Sequence, residues 1–162
     1  MFRQQKEHQT IREKLEISPE EFSEMGRVGA MFYQQGNLDK ARTIFEGLVE
    51  LDPHSADAHS ALGALLTLQQ EDELAVGHLK RAVALNPRQI APYVNLGEVY
   101  IRQQKLEEAV ANLKKAIELD PDETDSGANR ARAMVLGIYQ VIKATGNNPI
   151  TEETILNSET VN

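Results

Sequence analysis

The sequence predicts an all-α protein, an α-solenoid of three stacked helical hairpins with a helical segment before them and a capping helix after. Three observations lead there. A set of residues recurs every 34 positions, each copy holds two blocks of apolar residues at helical spacing, and each copy closes on a proline. The closing triplets are Leu51-Asp52-Pro53, Leu85-Asn86-Pro87 and Leu119-Asp120-Pro121. In phase with them run Gly29, Gly63 and Gly97, then Ala41, Ala75 and Ala109, then Phe45, Leu79 and Leu113, with Phe32, Leu66 and Tyr100 between. Fixed-period self-similarity of this length is the mark of a repeat architecture, in which each unit buries its apolar face only against its neighbours.

Taken in order, residues 1–17 form the lead-in. They are rich in helix formers but offer only Ile11 and Leu15 as a clear apolar pair, so a short, marginal helix is expected. Ser18-Pro19-Glu20-Glu21 combines an N-cap, a proline at the first helical position and a capping-box glutamate, which starts the first long helix near Pro19. Repeats follow at about 22–55, 56–89 and 90–123. In the second, Leu62, Leu65, Leu66 and Leu68 line one helix, and Leu74, Val76, Leu79, Ala82 and Val83 line its partner. Gly63 and Ala75 sit where the two helices must approach closely, and Leu79 is the larger chain that fills the gap beside them. Gly36 supplies a left-handed turn in the first hairpin; Gln70 and Gln104 stand at the equivalent places, so those turns are expected to carry more strain. Asp122, Thr124 or Asp125 can cap a last helix over about 124–144, whose Ala131, Met134, Val135, Ile138, Val141 and Ile142 would cover the open end of the third repeat. Residues 145–162 carry three glutamates and no Lys or Arg after that helix, and are expected to form a flexible acidic tail.

Composition narrows the function classes. Among 162 residues, 17 Lys+Arg face 25 Asp+Glu, a formal charge of −8, and no basic run offsets it. That argues against a nucleic-acid binder, which needs a basic stripe to track phosphates. No cysteine is present, so thiolate metal sites, thiol nucleophiles and disulfides are excluded. No apolar signal core or 18-residue apolar run occurs, from which a cytoplasmic protein without a membrane span is expected.

Chemistry is absent at the level of motifs. His54 and His59 are five residues apart, the wrong spacing for two ligands on one helical face; His59 stands in the column that Met25 and Tyr93 occupy in the other repeats, and His8, His54 and His78 are expected on exposed segments. The acidic run from Asp120 has Asp125 and Ala131 where a calcium loop requires glycine and a bidentate glutamate. No phosphate loop, dinucleotide fingerprint or Gly-x-Ser-x-Gly turn occurs, so neither an enzyme nor a cofactor is expected.

With its glycine, alanine, large-apolar and proline columns, the chain resembles the tetratricopeptide repeat (TPR) family over about residues 22–123. The resemblance implies a right-handed superhelix whose concave groove, lined by the first helix of each pair, binds an extended peptide. Carried onto this sequence, the groove residues it implies are Arg27, Ala30, Tyr33 and Gln34; Ser60, Ala64, Thr67 and Leu68; and Val94, Asn95, Glu98, Ile101 and Arg102. The clamp with which some family members hold a chaperone's C-terminal carboxylate is missing: Gly26 and Ala30 stand at its first-repeat positions, and only Asn95 matches.

The layout also resembles the class II chaperones of bacterial type III secretion, which hold translocator proteins before export. The local match is Ile17-Ser18, Tyr33-x-x-Gly36, Phe45-x-x-Leu48-x-x-Leu51-Asp52 and Leu62-Gly63-Ala64. The resemblance implies a protein partner and a homodimer through residues 1–17. The chain departs from that group where Gly26, Val28 and Ala30 replace aromatic residues of the first helix. The alternative implied by the repeats alone is a TPR adaptor or scaffold in a multiprotein assembly.

Overall fold

A computed structural model describes residues 9–146; residues 1–8 of the lead-in, His8 among them, and 147–162 of the acidic tail lie outside them. Within the described residues, eight helices and no strand occur: α1 (Ile11–Lys14), α2 (Pro19–Gln34), α3 (Leu38–Leu51), α4 (Ala56–Leu68), α5 (Asp72–Leu85), α6 (Ile90–Arg102), α7 (Leu106–Glu118) and α8 (Ser126–Thr145). They fall into two compact units that divide between Asn86 and Pro87. The first holds α1–α5 with the hairpins α2–α3 and α4–α5. The second holds the hairpin α6–α7 and α8.

Each hairpin is built by the same three devices. A glycine lets the helices touch: a Cβ placed on Gly63 would lie 2.6 Å from Leu79 Cδ2, and Gly29 and Gly97 meet Phe45 and Leu113 in the same way. Ala41, Ala75 and Ala109, at the facing column, are fully buried. Burying a leucine such as Leu79 completely is worth about 2 kcal/mol of transfer free energy, more when its removal leaves a cavity. The turn is the third device. Asn37 N–H donates to Phe32 O at 2.9 Å, Glu71 N–H to Leu66 O at 3.0 Å and Lys105 N–H to Tyr100 O at 2.8 Å, so all three first helices end in one shared motif. The residue before each donor is left-handed: Gly36 at φ 74°, Gln70 at φ 60° and Gln104 at φ 60°. The two glutamines therefore carry the strain that the sequence anticipates.

Starts and stops are local. Ser18 Oγ accepts from Glu21 N–H at 3.1 Å, and the Glu21 carboxylate accepts from Ser18 N–H at 2.9 Å, with Pro19 opening α2. Asp52 and Asn86 adopt extended φ of −140° and −141°, as residues before proline must, and α3 and α5 end there. Asp125 caps α8 by accepting from Ala128 N–H at 2.9 Å.

Two expectations, for Val141 and His78, need correcting. The described part of the lead-in holds a single helical turn, α1, with Ile11 49% exposed and Leu15, just past its C-terminal end, 62% exposed. It is held instead by Arg12, which bonds Asp52 at 2.9 Å and stacks its guanidinium 4.9 Å over Phe22. In α8, Val141 is 62% exposed, whereas Ile142 packs with Val110, Leu106 and Ile138. At 100° per residue Val141 lies about 80° off the line joining Ala131, Ile138 and Ile142, outside the buried stripe. Finally, His78 is half-buried rather than exposed, because it faces His59 across the α4–α5 hairpin.

Candidate functional site

In the first unit the first helices of the two hairpins, α2 and α4, stand apart and enclose a cavity of about 540 Å³. Its floor is apolar, made by Phe22 of α2, Phe45 and Leu48 of α3, and Ala58 and Ala61 of α4. Small residues leave it open. Gly26 and Ala30 stand on the inner side of α2, and a Cβ on Gly26 would reach only van der Waals distance from Leu48, at 3.8 Å. Arg12, Arg27, Asp52 and Asp57 form its polar edge. Arg12 and Asp52 are paired with side-chain exposures of 23% and 14%; Arg27, paired with Glu24, projects into solvent at 75%. An apolar well with a charged rim can take bulky side chains of an extended segment while the rim contacts polar groups beside them.

The implied first-hairpin residues divide. Arg27 and Ala30 line the cavity, while Tyr33 and Gln34 lie one turn on, half-buried and exposed. On α4, Ser60 and Ala64 are half-buried and Leu68 is 54% exposed. Thr67 is buried, and its hydroxyl donates to Gly63 O at 2.8 Å within its own helix, so it offers no group outward.

The second unit differs. There α8 lies on α6 and engages the implied residues. Val94 is 1% exposed, and a Cβ on Gly127 of α8 would sit 3.7 Å from it. Arg130 of α8 donates to Asn95 Oδ1 at 3.0 Å and pairs with Glu98 at 3.2 Å, while Arg102 approaches Glu98 at 4.0 Å. Ile101 is half-buried. Arg132 ties α8 down further through Asp120, 3.1 Å to its carboxylate and 2.5 Å to its carbonyl. Burial of Asp120 works against its charge, but Arg132 and the bonds from Thr124 and Asp125 outweigh that and hold its carboxyl below the usual range.

The residues missed are Phe22, Ser23, Gly26 and Ala61 at the cavity and Arg130 on α8. Strict use of the 34-residue period finds two of them: Arg27 maps to Ala61 and Asn95, and Gly26 maps to Ser60 and Val94. Among the described residues, no group of three or more His, Asp or Glu is placed to hold a metal ion, and no helix is long and apolar enough to cross a membrane.

Comparison with known proteins bears on the fold. Models of the tetratricopeptide repeat match residues 32–90 and 91–123. A curated relative, the type IV pilus assembly protein PilF of Pseudomonas aeruginosa, is 37% identical over 49 residues, 30% of this chain and 19% of that protein. The match thus spans about a fifth of the relative's length. Among solved structures, the type III secretion translocator chaperone SycD of Yersinia enterocolitica superposes with a TM-score of 0.70 at 22% identity, covering 78% of this chain and 96% of SycD. PcrH of Pseudomonas aeruginosa gives 0.68 at 22% identity, covering 76% of this chain and 95% of PcrH. PcrH is also known in complex with the chaperone binding region of PopD. At these identities the likeness is one of fold.

Proposed function

Because the chain belongs to the tetratricopeptide-repeat family, we propose that it is a non-catalytic binding module that holds an extended peptide segment of a partner protein, as a cytoplasmic chaperone of the type III secretion translocator kind. The observation that carries the reading is the cavity between α2 and α4, open, apolar-floored and edged by Arg27. A well of this size has room for more than one large side chain, and its walls are set on two helices held rigidly by their own hairpin partners. Burying an aromatic or leucine side chain there would supply about 2–3 kcal/mol, and an extended segment placing two such residues would bind usefully. Likeness of fold to SycD and PcrH, and the layout shared with class II chaperones, support the choice of partner class.

The small residues give the reading a particular form. Where those chaperones carry aromatic residues on the first helix, Gly26 and Ala30 leave space, so the partner supplies the bulk. Tyr33 and Leu68 extend the contact beyond the cavity. Full-length tagged protein would be used to capture partners from its native cell, with Ala30→Trp, Tyr33→Ala and Leu68→Glu variants alongside. Loss of a secreted partner from the variants, with helicity unchanged, is expected; retention in all three would sink the binding surface.

A second reading is an adaptor or scaffold within an assembly. It is favoured by the exposed Ile11 of α1 and Leu15 just after it, an apolar pair suited to self-association through residues 1–17, and by the local match to a pilus assembly protein. A change of mass in light scattering on deleting those residues, with capture unaffected, would favour it.

A further inference from the structure

The α4–α5 hairpin contains a feature that peptide binding does not use. His59 of α4 and His78 of α5 face each other with Nδ1 to Nδ1 at 3.0 Å, their ring centroids 5.2 Å apart. His59 is almost wholly buried, and its Nε2 lies 3.1 Å from the carbonyl oxygen of Pro53. A carbonyl only accepts, so that nitrogen carries the proton. The neutral ring then has a bare Nδ1, and the proton in the 3.0 Å bond belongs to His78 Nδ1. The third repeat supports this assignment. Tyr93, one period on from His59, donates its hydroxyl to Pro87 O at 3.1 Å, the equivalent carbonyl. The facing column reads Ile44, His78 and Asn112, so only the second repeat places two titratable rings together.

We infer that the His59–His78 pair is an acid-sensitive latch in the second repeat, closed while the pair is neutral or holds one added proton and opened by the second. One added proton on His78 Nε2 leaves the bond intact and makes it charge-assisted. A second sets two N–H groups and two positive charges against each other, and the rings must part.

The surroundings oppose protonation. Burial pushes His59 below its ordinary value; the Pro53 carbonyl pulls the other way, and Arg81 of α5 and His54 of the preceding loop add to the lowering. Burial also lowers His78, His59 lowers it further, and Glu46 of α3 opposes them. Arg42 and Glu50 line the same cleft as Glu46 and His78, and Arg42 is bonded to Glu46 at 2.8 Å, which blunts that carboxylate's pull. With both values depressed in the folded chain, the unfolded chain binds more protons below about pH 6.5. The stability contributed by the pair is thus present above that pH and is lost as pH falls through it toward the folded values. Because α4 also carries Asp57, Ala58 and Ala61, parting the hairpin would loosen one wall of the α2–α4 cavity.

The test uses the full chain labelled with ¹⁵N-histidine. Near neutral pH the ring nitrogens should report opposite fixed tautomers, Nε2–H for His59 and Nδ1–H for His78, both titrating below the ordinary imidazole range. Thermal melts from about pH 7.5 to about pH 5.5 should show a falling midpoint. Installing the third repeat's residues, His59→Tyr with His78→Asn, should remove at least half of that fall. If the double variant does not fold, His78→Asn alone keeps a donor to His59 and serves in its place. Identical tautomers with ordinary titration of both rings, or a full acid response in the substituted hairpin, would overturn the latch.

Discussion

The two units use one repeat plan to opposite ends. In the first, neighbouring first helices α2 and α4 leave about 540 Å³ between them. In the second, the corresponding neighbours α6 and α8 close on each other, burying Val94 and pairing Arg130 with Asn95 and Glu98. The difference follows from a few side chains. Facing α4, the inner side of α2 presents Gly26 and Ala30, and its arginine at the cavity, Arg27, pairs with Glu24 of its own helix. Facing α6, α8 presents Gly127, whose Cβ position lies 3.7 Å from the side chains of Ile90 and Val94, then an arginine that reaches two polar groups. Small residues thus line a cavity in one unit and a helix contact in the other, where an arginine bridges to the facing helix.

That contrast can be broken or sharpened by substitution. The largest effect is expected from the hairpin cores on which both arrangements rest. Leu79→Ala and Leu113→Ala each remove a fully buried side chain and should cost about 2–5 kcal/mol in urea unfolding. A loss well under 1 kcal/mol would mean that the hairpins are not the rigid walls described. Next comes the cavity itself. Gly26→Leu should fill space without unfolding α2, leaving the melting temperature within a few degrees while weakening partner capture by about tenfold or more. An overpacked, unfolded variant would show that the space is smaller than 540 Å³ implies.

Opening the closed unit should do less. Arg130→Ala removes partly exposed pairs and should cost about 0–1 kcal/mol, with faster hydrogen exchange confined to α8. Unchanged exchange would mean that apolar packing of Ile142 and Val110 alone holds that helix. The smallest effect is at the turns. Gln70→Gly and Gln104→Gly should each stabilise by about 0.5–1 kcal/mol, since both positions have φ of 60°, whereas Gly36→Ala should destabilise by a similar amount. A destabilising Gln70→Gly would place some side-chain contact of that glutamine above its backbone strain.

The fold was legible because each of its devices is a one-residue signal at a fixed period. Glycine facing Leu79, alanine opposite, proline after Leu85 and the left-handed turn all repeat, and each answers to steric limits that sequence encodes directly. The site was legible only in part. Of the groove residues the repeats imply, Arg27 and Ala30 line the α2–α4 cavity, but α8 engages Val94, Asn95 and Glu98, the last two through Arg130, a residue outside the repeat pattern. The His59–His78 pair was invisible for a similar reason. His78 sits 19 residues from His59, and only the crossing of α4 and α5 reveals that two unremarkable columns meet.

The most direct test of the binding reading maps where a partner touches the chain. Hydrogen exchange of the full-length protein would be measured alone and with the captured partner's shortest binding segment, for the wild type and for Gly26→Leu. New protection along α2 and α4, absent from α6–α8 and abolished by Gly26→Leu, is the result expected. Protection confined to α6–α8, or undiminished in Gly26→Leu, would contradict the assignment of the α2–α4 cavity as the binding surface.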